Sequence, residues 1–243
     1  SSALVGVAVQ RGAAKLDDSI CTYLTEYTGQ PVCDITLKHA ITFATGLAWQ
    51  EEYEDQSYQV SSIISMHFGE GYKDQLKHVL STRLAHKPGT AWSYSTGDAQ
   101  IAAATAKRAL EKTDGTDPFW TVLFNKIGAP NFAFEEDAKG TPMGGDLVYA
   151  TPRDFARFGY LFLRDGCWEG DRLLPEDWVQ SSTRPSDVYK ATASLENITP
   201  SGYSWWLNRP IEERAQKKPW ADAPEDAFAA LGHWGQKIVV IPS

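Results

Sequence analysis

The stretch Trp92-Ser93-Tyr94-Ser95-Thr96-Gly97-Asp98 decides how the rest of the chain is read. It follows a turn signal, Lys87-Pro88-Gly89-Thr90, and precedes a long Ala-rich run, so it is a loop delivered to a helix N-terminus. Tyr94 and Ser95 fall just ahead of the first helical turn. Unpaired backbone N–H groups and the positive end of the helix dipole favour an anion formed there. A tyrosine so placed can be held as phenolate, or can donate a hydrogen bond to a leaving group. Taken alone, the residues favour a plainer reading, with Trp92 and Tyr94 as core aromatics and Ser95 or Thr96 as the helix N-cap.

Around this stretch the composition is that of a globular domain. The 243 residues are enough to bury a core, and apolar residues make up 42% of them, which argues against disorder. The net charge of −8, without a basic cluster, argues against nucleic acid or an anionic membrane as a partner. No apolar run approaches the roughly 20 residues that span a bilayer, and no signal peptide is visible. The compartment and the oligomeric state are left open. The three cysteines, Cys21, Cys33 and Cys167, lack metal-ligand spacing. Cys21 and Cys33 could bridge in an oxidising compartment, but buried free thiols are the expectation. His67, His78 and His86 are too irregularly spaced for a metal site on one helix face, so they read as surface or satisfied histidines. No metal and no cofactor is expected.

Helical patterns dominate the first three quarters. Ser1 to Arg11 reads as a helix with Ala3, Leu4, Val7 and Ala8 on one apolar face and Gly12 as its stop. Asp34-Ile35-Thr36 caps a helix running to about Phe43, and Ser61 to Leu84 is helical with a break near Phe68-Gly69-Glu70-Gly71. The long helix after Gly97 extends to about Lys112. Asp117-Pro118 and Thr151-Pro152-Arg153-Asp154 each place a cap before a proline at the first helical position. A further helix is expected to start at Pro175. Gly144-Gly145 marks a close approach of the backbone to something. Strands are expected only at the end, over Tyr203–Leu207 and Lys237–Ile241, the second entered through Leu231-Gly232-His233-Trp234-Gly235-Gln236. The acidic, aromatic segment from Trp49 to Tyr58 could be imagined as a paired-carboxylate glycosidase site built on Glu51 to Asp55. A solvated loop beside a pocket is the stronger reading, because neighbouring carboxylates on a loop have no fixed separation.

The pieces then add up to a family. Ser2-Ala3-Leu4-Val5-Gly6, Ile35-Thr36-Leu37-Lys38-His39, Thr45-Gly46-Leu47, Pro88-Gly89-Thr90 and Trp92-Ser93-Tyr94-Ser95 occur in the order of the β-lactamase-related serine hydrolases. Thr151 to Gly159, Leu174-Pro175-Glu176-Asp177-Trp178 and Gly232-His233-Trp234-Gly235-Gln236 continue the order. Each piece is weak, and eight in sequence are strong. The chain resembles this group, which includes class C β-lactamases, D-Ala-D-Ala peptidases, family-VIII-type esterases and 6-aminohexanoate-dimer hydrolases. The resemblance implies an α+β, β-lactamase/transpeptidase-like fold over 1–243. A mostly helical region, 15–180, would pack on an antiparallel sheet supplied in part by 1–14 and 200–243.

It also implies roles. Tyr94, in the match to the family's tyrosine loop, would share proton transfer and hand a proton to the leaving group. His233-Trp234-Gly235 matches the Lys/His-x-Gly triplet on an inner strand, with His233 in the proton network and the Gln236 backbone N–H in the oxyanion hole. Tyr94 and His233 are expected to face one cleft. Ser95, Trp234, Gly235 and Trp49 are expected to contact substrate, with Trp49 in a segment that resembles the pocket loop of 6-aminohexanoate-dimer hydrolases. Thr96 in place of Asn, and His233 in place of Lys, lean toward small esters or amides over penicillin-like antibiotics.

One family element has no match. The acylated serine belongs to a Ser-x-x-Lys motif, and no lysine in the chain has serine three places before it. By the resemblance, the motif falls just upstream of residue 1. The chain is therefore expected to be an internal piece, cut at both ends, inactive in acyl transfer and poorly stable because of open sheet edges. A non-catalytic relative that binds penicillin or a peptide is the alternative.

Overall fold

A computed structural model describes residues 1–52, 60–192 and 199–243. Its first helix, α1 (Ser2–Gln10), is buried from Ser2 through Ala8, on every side and not on one face. That fits a segment with almost no polar side chain, since a helix apolar all round finds solvent on no face. Gly12, at φ +68°, and a bond from the Ala13 N–H to the Ala8 carbonyl (2.9 Å) close it in a left-handed stop. Single turns of 3₁₀ helix follow at Ile20–Thr22, Thr25–Tyr27 and Pro31–Asp34. They bring the Cα atoms of Cys21 and Cys33 to 5.3 Å, and the two residues form a disulfide. The expectation of free thiols is thus corrected; the pairing depends on how the turns coil back, which sequence spacing does not record.

Short helices α2 (Leu37–Ile41), α3 (Ser62–Phe68) and α4 (Gln75–Leu80) are each started by a side-chain cap, Thr36, Ser61 and Asp74. The Thr36 cap is reciprocal, with His39 Nδ1 accepting from the Thr36 N–H at 3.1 Å. The spine of the molecule is α5 (Thr96–Asp114), against which α1, α2 and α4 all pack. Its alanines permit that crowding: Ala102, Ala103, Ala104, Ala106 and Ala109 are buried. The backbone at Gly144-Gly145 approaches this same helix. A Cβ on Gly144 would lie 2.0 Å from the Ala103 Cβ, and one on Gly145 would lie 2.7 Å from the Thr96 methyl. Gln100 fixes the contact by accepting from the Gly144 N–H (2.7 Å) and donating to the Pro142 carbonyl (3.1 Å).

After a π-helical turn at Trp120–Phe124, two-residue strands β1 (Ala133–Phe134) and β2 (Val148–Tyr149) pair antiparallel. Helix α6 (Pro152–Leu163) begins with Thr151 as cap and proline at its first position, as its sequence signals. A second small pair, β3 (Cys167–Trp168) with β4 (Asp171–Arg172), follows. Strands therefore occur well before the end of the chain, contrary to expectation, but they are too short to carry a recognisable alternation. Helix α7 (Trp178–Ser182) starts three residues later than its proline suggests, because Asp177 takes a left-handed conformation (φ +62°) that no helix continues through. Helix α8 (Asp187–Ala191), capped by Ser186, precedes the main sheet.

That sheet is three-stranded and antiparallel, in the order β5 (Trp206–Leu207), β6 (Phe228–Leu231), β7 (Lys237–Val240). Strand β5 is shorter than the expected Tyr203–Leu207, since Ser204 at φ +58° turns the chain there. Strand β6 was not anticipated at all. Residues 232–236, expected as part of the approach to a strand and matched to an inner-strand triplet, form instead the turn between β6 and β7, closed by the Gly232 N–H on the Gln236 carbonyl (2.8 Å). Helix α6 covers the sheet, with Gly159 admitting Ile238 of β7, and Trp205 wedges between Phe162 and Phe228 at ring distances of 4.7 and 5.0 Å. The fold is α+β, helices packed on an antiparallel sheet. Among the described residues, no helix is long and apolar enough to cross a membrane.

Candidate active site

The loop before α5 is held in place residue by residue. Trp92 is buried; its backbone N–H donates to the Thr192 hydroxyl (3.0 Å) and its indole N–H to the Ser201 hydroxyl (2.9 Å). Its ring meets Phe43 and Tyr189 edge-on. The Ser93 N–H donates to the Phe43 carbonyl (2.9 Å). Tyr94 follows, half-buried, with its ring centre 5.0 Å from those of both Phe43 and Trp206. Ser95 is 1% exposed and is the N-cap, its hydroxyl accepting from the Asp98 N–H at 2.9 Å. The plainer reading of Trp92 and Ser95 is therefore what the structure contains, and the Ser95 hydroxyl is engaged in capping.

Two carboxylates brace the start of α5 from beneath. Asp98 is fully buried and accepts from the Thr45 N–H (3.2 Å) and hydroxyl (2.7 Å). Burial pushes its pKa up to about 7, against the hydrogen bonds of Thr45 and Ser95 that favour the anion. Glu51 accepts from the Thr96 N–H (2.9 Å), the Thr96 hydroxyl and the Trp49 indole N–H (2.5 Å). Burial raises its pKa, and the Asp146 charge adds to this, opposed by the bonds from Thr96 and Trp49. Glu51 is thus no part of a solvated loop. Residues Tyr53, Glu54, Asp55 and Tyr58 of the acidic segment lie outside the described residues. Trp49 is buried under the loop, its ring against Gly97, where a Cβ would come within 2.7 Å.

Above the loop lies a pocket of about 240 Å³. Tyr94, Ser95 and Thr96 line it on one side, with Phe43, Trp206 and Ser204. The N-terminal end of α1 (Ser1 to Leu4) and the rings of Phe124, Phe132, Phe155 and Phe158 also line it. Leu231 and Ile238, at the ends of the strands flanking the hairpin turn, complete the lining. No charged side chain lines the pocket among the described residues. A lining that mixes a few hydroxyls with many aromatic rings suits a small, largely apolar molecule carrying a polar group.

The other site candidates sit apart from this lining. His233, Trp234, Gly235 and Gln236 occupy the exposed β6–β7 turn. The imidazole of His233 lies 4.7 Å, centre to centre, from the Trp234 ring, which is 88% exposed. Gly235 takes φ +90°, as the turn requires, and the Gln236 side chain folds over Gly232. Tyr94 and His233 therefore do not share the described pocket. Among the histidines, His67 is buried and paired with Asp146 (2.7 Å) and Gln75 (3.1 Å), a satisfied core histidine. Sequence reasoning missed Phe43, Ser204 and Trp206, and it gave Glu51 and Asp98 no part in holding this loop. Only Asp98 carried a local signal, an acidic residue in the first turn of a helix.

A family model, Beta-lactamase, matches residues 1–243. An uncharacterised protein of Alkalihalophilus pseudofirmus is 21% identical over 257 aligned positions, covering 98% of this chain and 66% of that protein. Among solved structures, a Bacillus anthracis protein assigned as a 6-aminohexanoate-dimer hydrolase superposes with a TM-score of 0.74 at 17% identity. That match covers 99% of this chain and 62% of the other. A family VIII carboxylesterase gives 0.69 at 15% identity, covering 99% and 71%. The class C β-lactamase of Rhodobacter sphaeroides gives 0.60 at 19%, covering 99% and 73%. The chain thus spans just under two thirds of the first two of these proteins. At such identities the superpositions speak for the fold.

Proposed function

The chain belongs to the Beta-lactamase family, and from that premise we propose that it is the larger part of a serine hydrolase of small esters or amides. The acylated serine would be carried by a Ser-x-x-Lys element outside Ser1–Ser243. The observation that carries the reading is Tyr94, a phenol set just before a helix N-terminus in the lining of a small pocket that also takes in the start of α1. In the reaction, the serine oxygen attacks the substrate carbonyl carbon and its proton passes to the lysine–tyrosine pair. Tyr94 returns a proton to the departing alcohol or amine, leaving an acyl-serine that water hydrolyses. The proposed oxyanion donor is the Gln236 N–H and the proposed proton-network residue is His233. Both lie in the turn whose flanking residues, Leu231 and Ile238, line the pocket.

The preference for esters or amides without a carboxylate rests on Thr96 and His233 standing where the resemblance expects Asn and Lys; among the described residues no Lys or Arg lines the cavity. The test uses the full-length protein and p-nitrophenyl butyrate. Turnover should pass through an acyl adduct visible by intact mass, and Tyr94→Phe should lower kcat by about 10²–10⁴-fold. Near-normal turnover in Tyr94→Phe removes its role, and absence of any acyl adduct overturns the hydrolase reading.

A further inference from the structure

The start of α5 is gripped by a side chain that the proposed reaction does not use. Glu51 approaches from the segment after Trp49 and has both carboxylate oxygens engaged. Oε2 accepts from the Trp49 indole at 2.5 Å and from the Thr96 N–H at 2.9 Å, while Oε1 accepts from the Thr96 hydroxyl. The Thr96 N–H is one of the donors that a helix cannot pair internally, so an acceptor there both satisfies it and meets the positive end of a 19-residue helix. Trp49 is fixed in turn, because Gly97 leaves room for its ring and nothing larger. The route from this grip to the phenol is two residues long, Thr96 to Ser95 to Tyr94, with Ser95 already immobilised as the cap.

We propose that Glu51 is a positioning residue: braced by Trp49, it clamps Thr96 and so fixes the Tyr94 phenol in the pocket wall. Its meaning for turnover rests on the hydrolase reading; the clamp itself does not. The geometry requires acceptors more than charge. A glutamine could set its carbonyl oxygen where Oε2 now accepts two N–H groups and turn its amide toward the Thr96 hydroxyl, which can accept as well as donate. Alanine would leave the Thr96 and Trp49 N–H groups without their acceptor, and neither can be exchanged for water inside packed surroundings without cost.

The experiment compares Glu51→Ala and Glu51→Gln in the full-length protein, by amide hydrogen exchange and by steady-state hydrolysis of p-nitrophenyl butyrate. In Glu51→Ala, exchange across Tyr94 to Asp98 should quicken by about tenfold or more while the middle of α5 keeps its protection. Its kcat should fall by about 100-fold, as for a misplaced catalytic group, with KM changed less than about threefold. Glu51→Gln should restore both. Unchanged exchange in Glu51→Ala, unchanged kcat, loss of protection throughout the molecule, or Glu51→Gln as damaged as Glu51→Ala would each overturn the proposal. If the wild-type protein forms no acyl adduct and hydrolyses no ester, the hydrolase reading falls, and the exchange measurement alone decides the clamp.

Discussion

Two loops carry the residues singled out for chemistry, and they are built in opposite ways. The loop entering α5 is tied to four other segments: to Phe43 and Thr45 after α2, to Glu51, to Thr192 after α8, and to Ser201 before β5. The β6–β7 turn is defined by its own hairpin hydrogen bonds, and Trp234 projects into solvent. A group that must hold a proton-transfer geometry needs its neighbours to over-determine it. The first loop meets that condition within the chain as it stands. The second is an exposed hairpin turn, with Gly235 at φ +90° and the Trp234 ring 88% exposed.

The contrast can be broken most severely at Trp92. Trp92→Ala should cost about 3–5 kcal/mol in denaturant unfolding, since it empties a buried aromatic site and strands the Ser201 hydroxyl. A loss below about 1 kcal/mol would mean that the loop is not an integral part of the core. Next is the pH dependence set by Asp98. Its folded pKa, about 7, stands above the ordinary carboxyl value, so between about pH 4 and 7 the folded chain keeps a proton that the unfolded chain has released. Stability should therefore fall as pH rises through that window, by at most about 4 kcal/mol. Asp98→Asn should flatten this part of the profile in urea titrations at several pH values; an unaltered slope would place the titration elsewhere. The smallest effect belongs to the turn. Trp234→Ala should change stability by no more than about 0.5 kcal/mol, and a cost like that of Trp92 would erase the contrast.

How much of this was written in the sequence follows the range of the interaction involved. Helix starts were legible because their signals are local: Thr151-Pro152 opens α6 and Thr36 caps α2 where the residues say they should. Strand β6 was not, because Phe228-Ala229-Ala230-Leu231 lacks alternation and β-branched residues and becomes a strand only by pairing with β5 and β7. Glu51 looked like one of several solvated acids; its partner lies 45 residues away. The Cys21–Cys33 bridge was hidden for a related reason, since it follows from coiled single turns and not from spacing. Tyr94 was found through the helix start beside it. His233 was placed by motif alone, and a motif carries no information about which surface a hairpin turn presents.

The contact between Gly144 and Ala103 has an evolutionary consequence. The two positions touch so closely that neither can gain a methylene without the other's strand of chain retreating. Because Gly144, Gly145 and Val148 also form part of the pocket lining, such a retreat would widen the cavity from behind. Drift on the far flank of the spine helix is thus heritable as a change in cavity shape, and descendants of this chain could retune what they admit without altering a residue that touches it.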